Sequence, residues 1–477
     1  MQAKSAIAID QGTTGTKVHR LHDDGRFETL GGFEHRQIFP QPGWVEHDPH
    51  ELIDHITHCI DLAATAEAIG LANQGETVMA WDTQTKEPIY NAIVWQDART
   101  ESEIQRLKAT GMEAETLQRA GLPLDPYFSA SKLRWLLDNV AEAATLHRQG
   151  RLRLGTSDSF FLDRLTGHFI TDVTTASRTS LMNLETLAWD PVLCDLFGVP
   201  MDCLPAIGPT AGSLGDIRGI PLTANVVDQQ AALFGHGCRK PGDAKITFGT
   251  GAFVLAIAGD SPLRDAASGL LPTVAWQIGE EPCTYALDGG VYNAASAVNW
   301  ARGLGLFVDY AEIDKFTSAT AISRGVVFVP ALSGLGCPYW DRSAAGMWLG
   351  LGLDTGKSDL MQALLEGIAL RASEVMRAMA ELVPIADQLS VDGGMVRNDY
   401  FCRFLAGALD QRLAIPSSAE LTGLGTAQLA MIGAGLATLE TLPPAPPASR
   451  IVTNDQPVPA ELHVRFADAV SRCRNWR

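Results

Sequence analysis

At 477 residues the chain is too long for one ordinary hydrophobic core, so two large domains are expected. Hydrophobic residues make up 46% and charged residues 19%, with the charges scattered, which excludes a disordered chain. A formal net charge of −18 excludes a broad nucleic-acid or anionic-membrane surface, while leaving open a local basic pocket for phosphates.

Ala6 to Ile9 predicts a buried strand and Lys17 to Leu21 a second, followed by the turn signal Asp23-Asp24-Gly25. Between them, "DQGTTGTK" places an acid at a strand end and glycines and threonines in a hairpin bend. The spacing is neither that of a P-loop nor that of a dinucleotide-binding glycine pattern. In "GWVEHDPHELIDHI", Asp48 as N-cap, Pro49 at the first helical position and Glu51 at the third predict a helix with a capping box. Asp190 and Pro191 repeat the device, and Gly198 and Pro200 end that helix. The run Leu222 to Val227 stops at Asp228 before a helical pattern, and an aspartate there reads, taken alone, as an N-cap.

Near residue 237 the Gly/Pro-marked "GHGCRKPGDAK" suggests a boundary between domains 1–237 and 238–477. It leads into "ITFGTGAFVLAIAGD", where an apolar strand again meets Gly-Thr-Gly, at 249–251, and another strand follows. Two such bends, each offering backbone N–H groups and a threonine, can grip one polyphosphate from opposite sides. In "LSVDGGMVRND", Gly393 and Gly394 leave space for a flat base against the backbone. Leu421 to Leu439 has membrane-spanning length but contains four glycines, three threonines and a glutamine. It reads as a buried helix with Gly425 and Gly433 at close packing points. The eight cysteines are dispersed without a Cys-x-x-Cys pair, and the start lacks a basic segment before a long apolar run, so a cytoplasmic location is expected.

The stretches "DQGTTGTK", "IFPQPGWVEHDPHEL", "NAIVWQDART", "DPYFSASKLRW", "TDVTTASRTSLMNL", "DQQAALFG", "FGTGAF", "GLGCPYWD" and "VDGGMVRN" resemble the FGGY carbohydrate kinase family, most of all its members that act on glycerol. The likeness runs over nearly the whole chain. It implies an α/β fold of two duplicated actin-like ATPase domains (the sugar kinase/Hsp70/actin, ribonuclease H-like type) with the active site in the cleft between them. It further implies ATP-dependent phosphorylation of a terminal hydroxyl of glycerol or a glycerol-like polyol, with Mg²⁺. Carried over by position, Thr13, Thr14 and Lys17 meet the phosphates from one side, and Gly249 and Thr250 from the other. Asp10 positions the metal, and Asn299, Gly394, Met395 and Asn398 line the adenosine pocket. Phosphoryl transfer also needs a group to take the proton of the attacking hydroxyl, and Asp228 is the candidate. Glu76, Tyr127, Asp228 and Gln229 would hold the acceptor hydroxyls, with Trp95 and Phe253 as apolar walls.

At one position the pattern breaks. Family members acting on glycerol carry an Arg-Glu pair where this chain has Gly75-Glu76. Glycine lacks the forked donors of arginine, so either a longer tetritol, pentitol or sugar uses the vacated space or glycerol binds more weakly. The segment before Asp228 also lacks the loop that the family associates with fructose bisphosphate inhibition, so none is expected. Rival readings are a ketopentose kinase, an actin- or Hsp70-like nucleotide-dependent binding protein, and a zinc site at His47, His50, His55, His58 and Cys59. The binding-protein reading leaves Glu76, Trp95 and Tyr127 unexplained, and the histidine stretch coincides with a capped helix start. The expected partner is a small-molecule polyol or sugar, without nucleic acid or membrane, and a homodimer or homotetramer is the expected assembly.

Overall fold

The computed structural model describes residues 4–63 and 65–477. Its first sheet grows from β1 (Ser5–Gln11), β2 (Gly15–His22) and β3 (Phe27–Glu34), joined as antiparallel neighbours. The two predicted strands are present, each longer by one or two residues per end. After α1 (Pro49–Ala63), β4 (Ala68–Asn73) lies parallel to β1, and β5 (Asp216–Ile217) and β6 (Ile220–Val227) complete the order β5-β6-β4-β1-β2-β3. Alternation along β1 decides its two faces. Ile7 and Ile9 pack with Leu52 and Ile56 of α1, while Ala6 and Ala8 face the opposite way, toward a helix from the other half of the chain.

The second sheet repeats the plan. β7 (Ala244–Phe248) and β8 (Ala252–Gly259) form the second hairpin, β9 (Leu271–Trp276) and β10 (Thr284–Val291) extend it, and β11 (Gln388–Gly393) runs parallel to β7. With β12 (Arg412–Pro416) and β13 (Ala448–Val452) the order is β9-β10-β8-β7-β11-β12-β13. In both sheets, then, an antiparallel trio is followed by two parallel strands, the duplication expected from the sequence.

Helices α2 (Val173–Ala176), α3 (Asp228–Gly235), α4 (Ala295–Gly303), α5 (Lys357–Leu382), α6 (Asp399–Leu409) and α7 (Leu421–Gly433) cover the sheets. Although α7 follows β12 of the second sheet, it lies on the alanine face of the first, beside α3. A Cβ at Gly425 would fall 1.9 Å from the Ala231 carbonyl oxygen, and one at Gly433 would fall 2.0 Å from that of Thr223. These are the close packing points, but the helix stops at Gly433 rather than Leu439, where the chain turns through Gly435 at φ +67°. Leu255, Trp276 and Ala286 of the second sheet join this seam, so α3 and α7 fasten the two halves together.

Two capping expectations came out differently. Asp190 accepts from the amides of Val192 and Leu193, and Gly198 ends that helix at φ +66°. Asp48 accepts from His50 N at 2.9 Å, but Glu51 does not close the box, because its carboxylate takes the Arg36 amide instead. Among the described residues no helix is long and apolar enough to cross a membrane.

Candidate active site

Parallel pairing brings the carboxyl ends of the central strands level, the usual place for ligands in open α/β sheets. Gln11 and Val227 both pair with Asn73, so the bend at 12–14, the turn at 75–77 and Asp228 project together from one sheet edge. In the second sheet Phe248 pairs with Gly393, which puts Gly249-Thr250 next to Gly394. The second bend is pinned by the start of α4: Ala294 N donates to Thr250 O at 2.9 Å, and Ala295 N to Gly249 O at 3.1 Å.

Glu76 occupies a tight turn in which Thr77 N donates to Gly75 O at 2.7 Å, and it holds φ at +56°. A non-glycine residue in that region costs about 1–3 kcal/mol, and such strain collects where a side chain must be aimed. Here the turn is held from outside, since Ser129 Oγ donates to the Glu76 carbonyl at 3.2 Å and Arg178 Nε to its carboxylate at 2.7 Å. Trp95 stands edge-on to Tyr127 and Phe253, with centroids 5.7 and 6.4 Å away. Its indole N–H donates to Thr13 Oγ1 at 3.1 Å, tying the first bend to the apolar wall. Lys132 Nζ anchors the Tyr127 segment through the carbonyls of Pro126 and Tyr127.

All seven acceptor-side residues named from the sequence, Gly75, Glu76, Trp95, Tyr127, Asp228, Gln229 and Phe253, line one chamber of about 150 Å³, with Thr13 and Thr250 in its walls. Asp10, Thr14 and Lys17 line a second cavity of about 730 Å³. Asn299, Gly394, Met395 and Asn398 line a third, of about 610 Å³. A Cβ on Gly394 would meet open space, whereas one on Gly393, at φ +95°, would fall 2.2 Å from Phe248 O. The first of the two glycines is needed for packing and the second borders the cavity. Asn398 is spent on structure, capping Phe401 N and donating to Ile313 O.

Asp228 is the first residue of α3, after Val227 as N-cap, and it lines the chamber. Burial, Asp10 and Glu76 push it from the ordinary aspartate value near 3.8 to about 7, against the pull of Lys245. Asp10 is pushed to about 6 by burial and Glu420, with Lys17 opposing. Lys17 Nζ pairs with Glu420 at 2.8 Å, and Gln229 is held by Lys245 Nζ at 2.6 Å. The cleft is thus overloaded with carboxylates, and a divalent cation beside Asp10 fits that donor set.

Sequence reasoning missed three residues. Arg178 spans Glu76 and, through Nη2, Asp288 Oδ2 at 3.0 Å; Lys245 lies buried under Gln229. Arg178 sits in the quoted "TDVTTASRTSLMNL", where a lone arginine in a small, hydroxyl-rich run was the available signal. The space left by arginine at position 75 is also not simply open. A Cβ there would meet Val227 Cγ1 at 3.1 Å, so Val227 packs closely against this position. The histidine cluster is occupied by packing, since His55 and His58 lie against Phe33 and His47 Nδ1 meets Gln74 Nε2 at 3.1 Å.

The duplicated α/β fold with cavities above its strand ends, taken with the family and relatives it matches, defines an ATP-dependent phosphotransferase with an alcohol group as acceptor. The chain belongs to the FGGY family of carbohydrate kinases: residues 5–235 match its N-terminal domain and residues 244–434 its C-terminal domain. It is 39% identical to a glycerol kinase of Haloferax volcanii, over 98% of both chains. To a glycerol kinase of Paraburkholderia phymatum it is 40% identical, over 91% of this chain and 90% of that one. The crystal structure of Plasmodium falciparum glycerol kinase with ADP superimposes with a TM-score of 0.89 at 30% identity, covering 99% of this chain and 98% of that one.

Proposed function

We propose that the chain transfers the γ-phosphoryl group of ATP to a terminal hydroxyl of glycerol or a glycerol-like polyol, with Asp228 as general base. The observation that carries this reading is the 150 Å³ chamber, whose walls combine polyol-binding groups, Asp228, and a threonine from each bend. On this reading Thr13, Thr14 and Lys17 hold the β- and γ-phosphates from the first half, and Gly249 and Thr250 from the second. Lys17 would exchange Glu420 for phosphate oxygens. Adenosine would lie over Gly394 and Met395, beside Asn299 and Asn398. Asp10 would hold Mg²⁺, which when bound neutralises phosphate charge.

Glu76 orients the acceptor through its hydroxyls, while Trp95 and Phe253 exclude water from its carbon chain. Asp228 aligns the attacking oxygen and takes its proton as the bond to phosphorus forms. A base poised near pH 7 suits that task, and general-base help of this kind contributes about 10²–10⁴-fold. An ATP-coupled screen of three- to six-carbon polyols and ketoses, with product mass, tests the proposal. Stoichiometric ADP and phosphorylated polyol are expected; nucleotide-dependent protein binding without a phosphorylated small molecule would refute it.

A further inference from the structure

The acceptor chamber offers more polar capacity than a three-carbon molecule uses. A cavity of about 150 Å³ is of the size that accepts a ligand of six heavy atoms, as glycerol is. Beside it lies another of about 300 Å³, and the two share Trp95, Tyr127, Thr250, Phe253 and Asp288 as wall residues. Asp288 therefore stands at the junction.

Three buried polar atoms around this junction lack a partner among the described residues. Asp288 commits Oδ2 to Arg178 and leaves Oδ1 free. Arg178 commits Nε to Glu76 and Nη2 to Asp288 and leaves Nη1 free. Tyr292 lines the larger chamber, and its phenolic oxygen is buried and unpaired among the described residues. Buried polar groups are nearly always satisfied, and a cavity wall is where a ligand supplies the missing partner. A ligand hydroxyl can donate to Asp288 Oδ1 or accept from Arg178 Nη1, and Tyr292 offers a phenolic partner in the adjoining chamber. Arg342, the cation of the larger chamber, is already bound to Asp125 at 2.6 and 2.9 Å.

We propose that Asp288, Arg178 and Tyr292 form a subsite for carbons beyond the third, so that the preferred acceptor is a linear polyol of four or five carbons rather than glycerol. This rests on the kinase reading above.

The test uses the full chain with MgATP and compares kcat/KM for glycerol, four- and five-carbon polyols, and butane-1,2,3-triol, a tetritol without its distal hydroxyl. The best tetritol or pentitol should exceed glycerol at least tenfold, and the triol should lose at least tenfold against the tetritol. Tyr292→Phe removes only an unpaired hydroxyl, and Asp288→Asn turns the free acceptor into a donor. Each should lower the long-chain to glycerol ratio at least threefold. Glycerol equal to or better than every longer polyol, or a ratio unmoved in both variants, overturns the subsite and leaves the kinase reading standing. If no polyol of any length is phosphorylated, both fall.

Discussion

Asp228→Asn should make the protein more stable and nearly inactive, two effects with one physical source. The folded carboxyl titrates at about 7 instead of 3.8, because burial and the charges of Asp10 and Glu76 disfavour its ionised form. Between those values folding takes up a proton, so the wild type loses stability as pH rises from about 4 to about 7 and stays penalised above. At about 1.4 kcal/mol per pH unit the full rise is worth about 4 kcal/mol. Asp228 opens partly to the cleft, and the penalty is shared with its two acidic neighbours, which leaves about 1–3 kcal/mol for the single substitution. Asparagine keeps the shape and does not titrate. In EDTA and without nucleotide, its melting temperature should exceed the wild type's at pH 8 by a few degrees, with less than half that gain at pH 5. Calorimetry should show ATP binding retained, while polyol phosphorylation drops by about 10²–10⁴-fold. An equal gain at both pH values, or none at pH 8, would refute the assignment of a strained carboxylate, and substantial turnover would remove Asp228 from its role.

The paired glycines should fail in opposite ways. Gly393→Ala drives a Cβ to 2.2 Å from Phe248 O at a positive φ, so about 2–4 kcal/mol of stability should be lost, read by denaturant titration. Gly394→Val meets open space and should leave the midpoint nearly unchanged while weakening ATP binding tenfold or more by calorimetry; equal destabilisation of the two variants would refute the division of labour. Gly75→Arg alone brings a Cβ to 3.1 Å from Val227 Cγ1, which must shift slightly, and should cost about 1–3 kcal/mol. Adding Val227→Ala should restore stability and raise kcat/KM for glycerol relative to longer polyols above that of the single variant. An unchanged preference in the double variant would mean that position 75 does not govern the acceptor.

What could be read from the sequence was local chemistry at strand ends. The bends at 12–14 and 249–251, the Asp190 cap, and Asp228 after an apolar run each announce themselves within a dozen residues, because turns and caps are decided by neighbouring backbone groups. The rest depends on partners far apart in the chain. Arg178 meets Glu76 across 102 residues, and α7 crosses from the second half to close on the alanine face of the first sheet. Position 75 shows most clearly why a motif is not a pocket. Read along the chain, glycine for arginine is a vacancy and a lost charge. In three dimensions Val227 packs close to the Cβ position, and a guanidinium enters the same chamber from the segment after α2. Arg178 is held by two acids and has one nitrogen to spare, so it can present a hydrogen-bond donor but cannot reproduce a forked clamp on two hydroxyls of a short acceptor. Selectivity should therefore follow the distance from Asp228 to that single donor and its acidic neighbour, which is a matter of how long the acceptor is and not of how many charges the pocket contains.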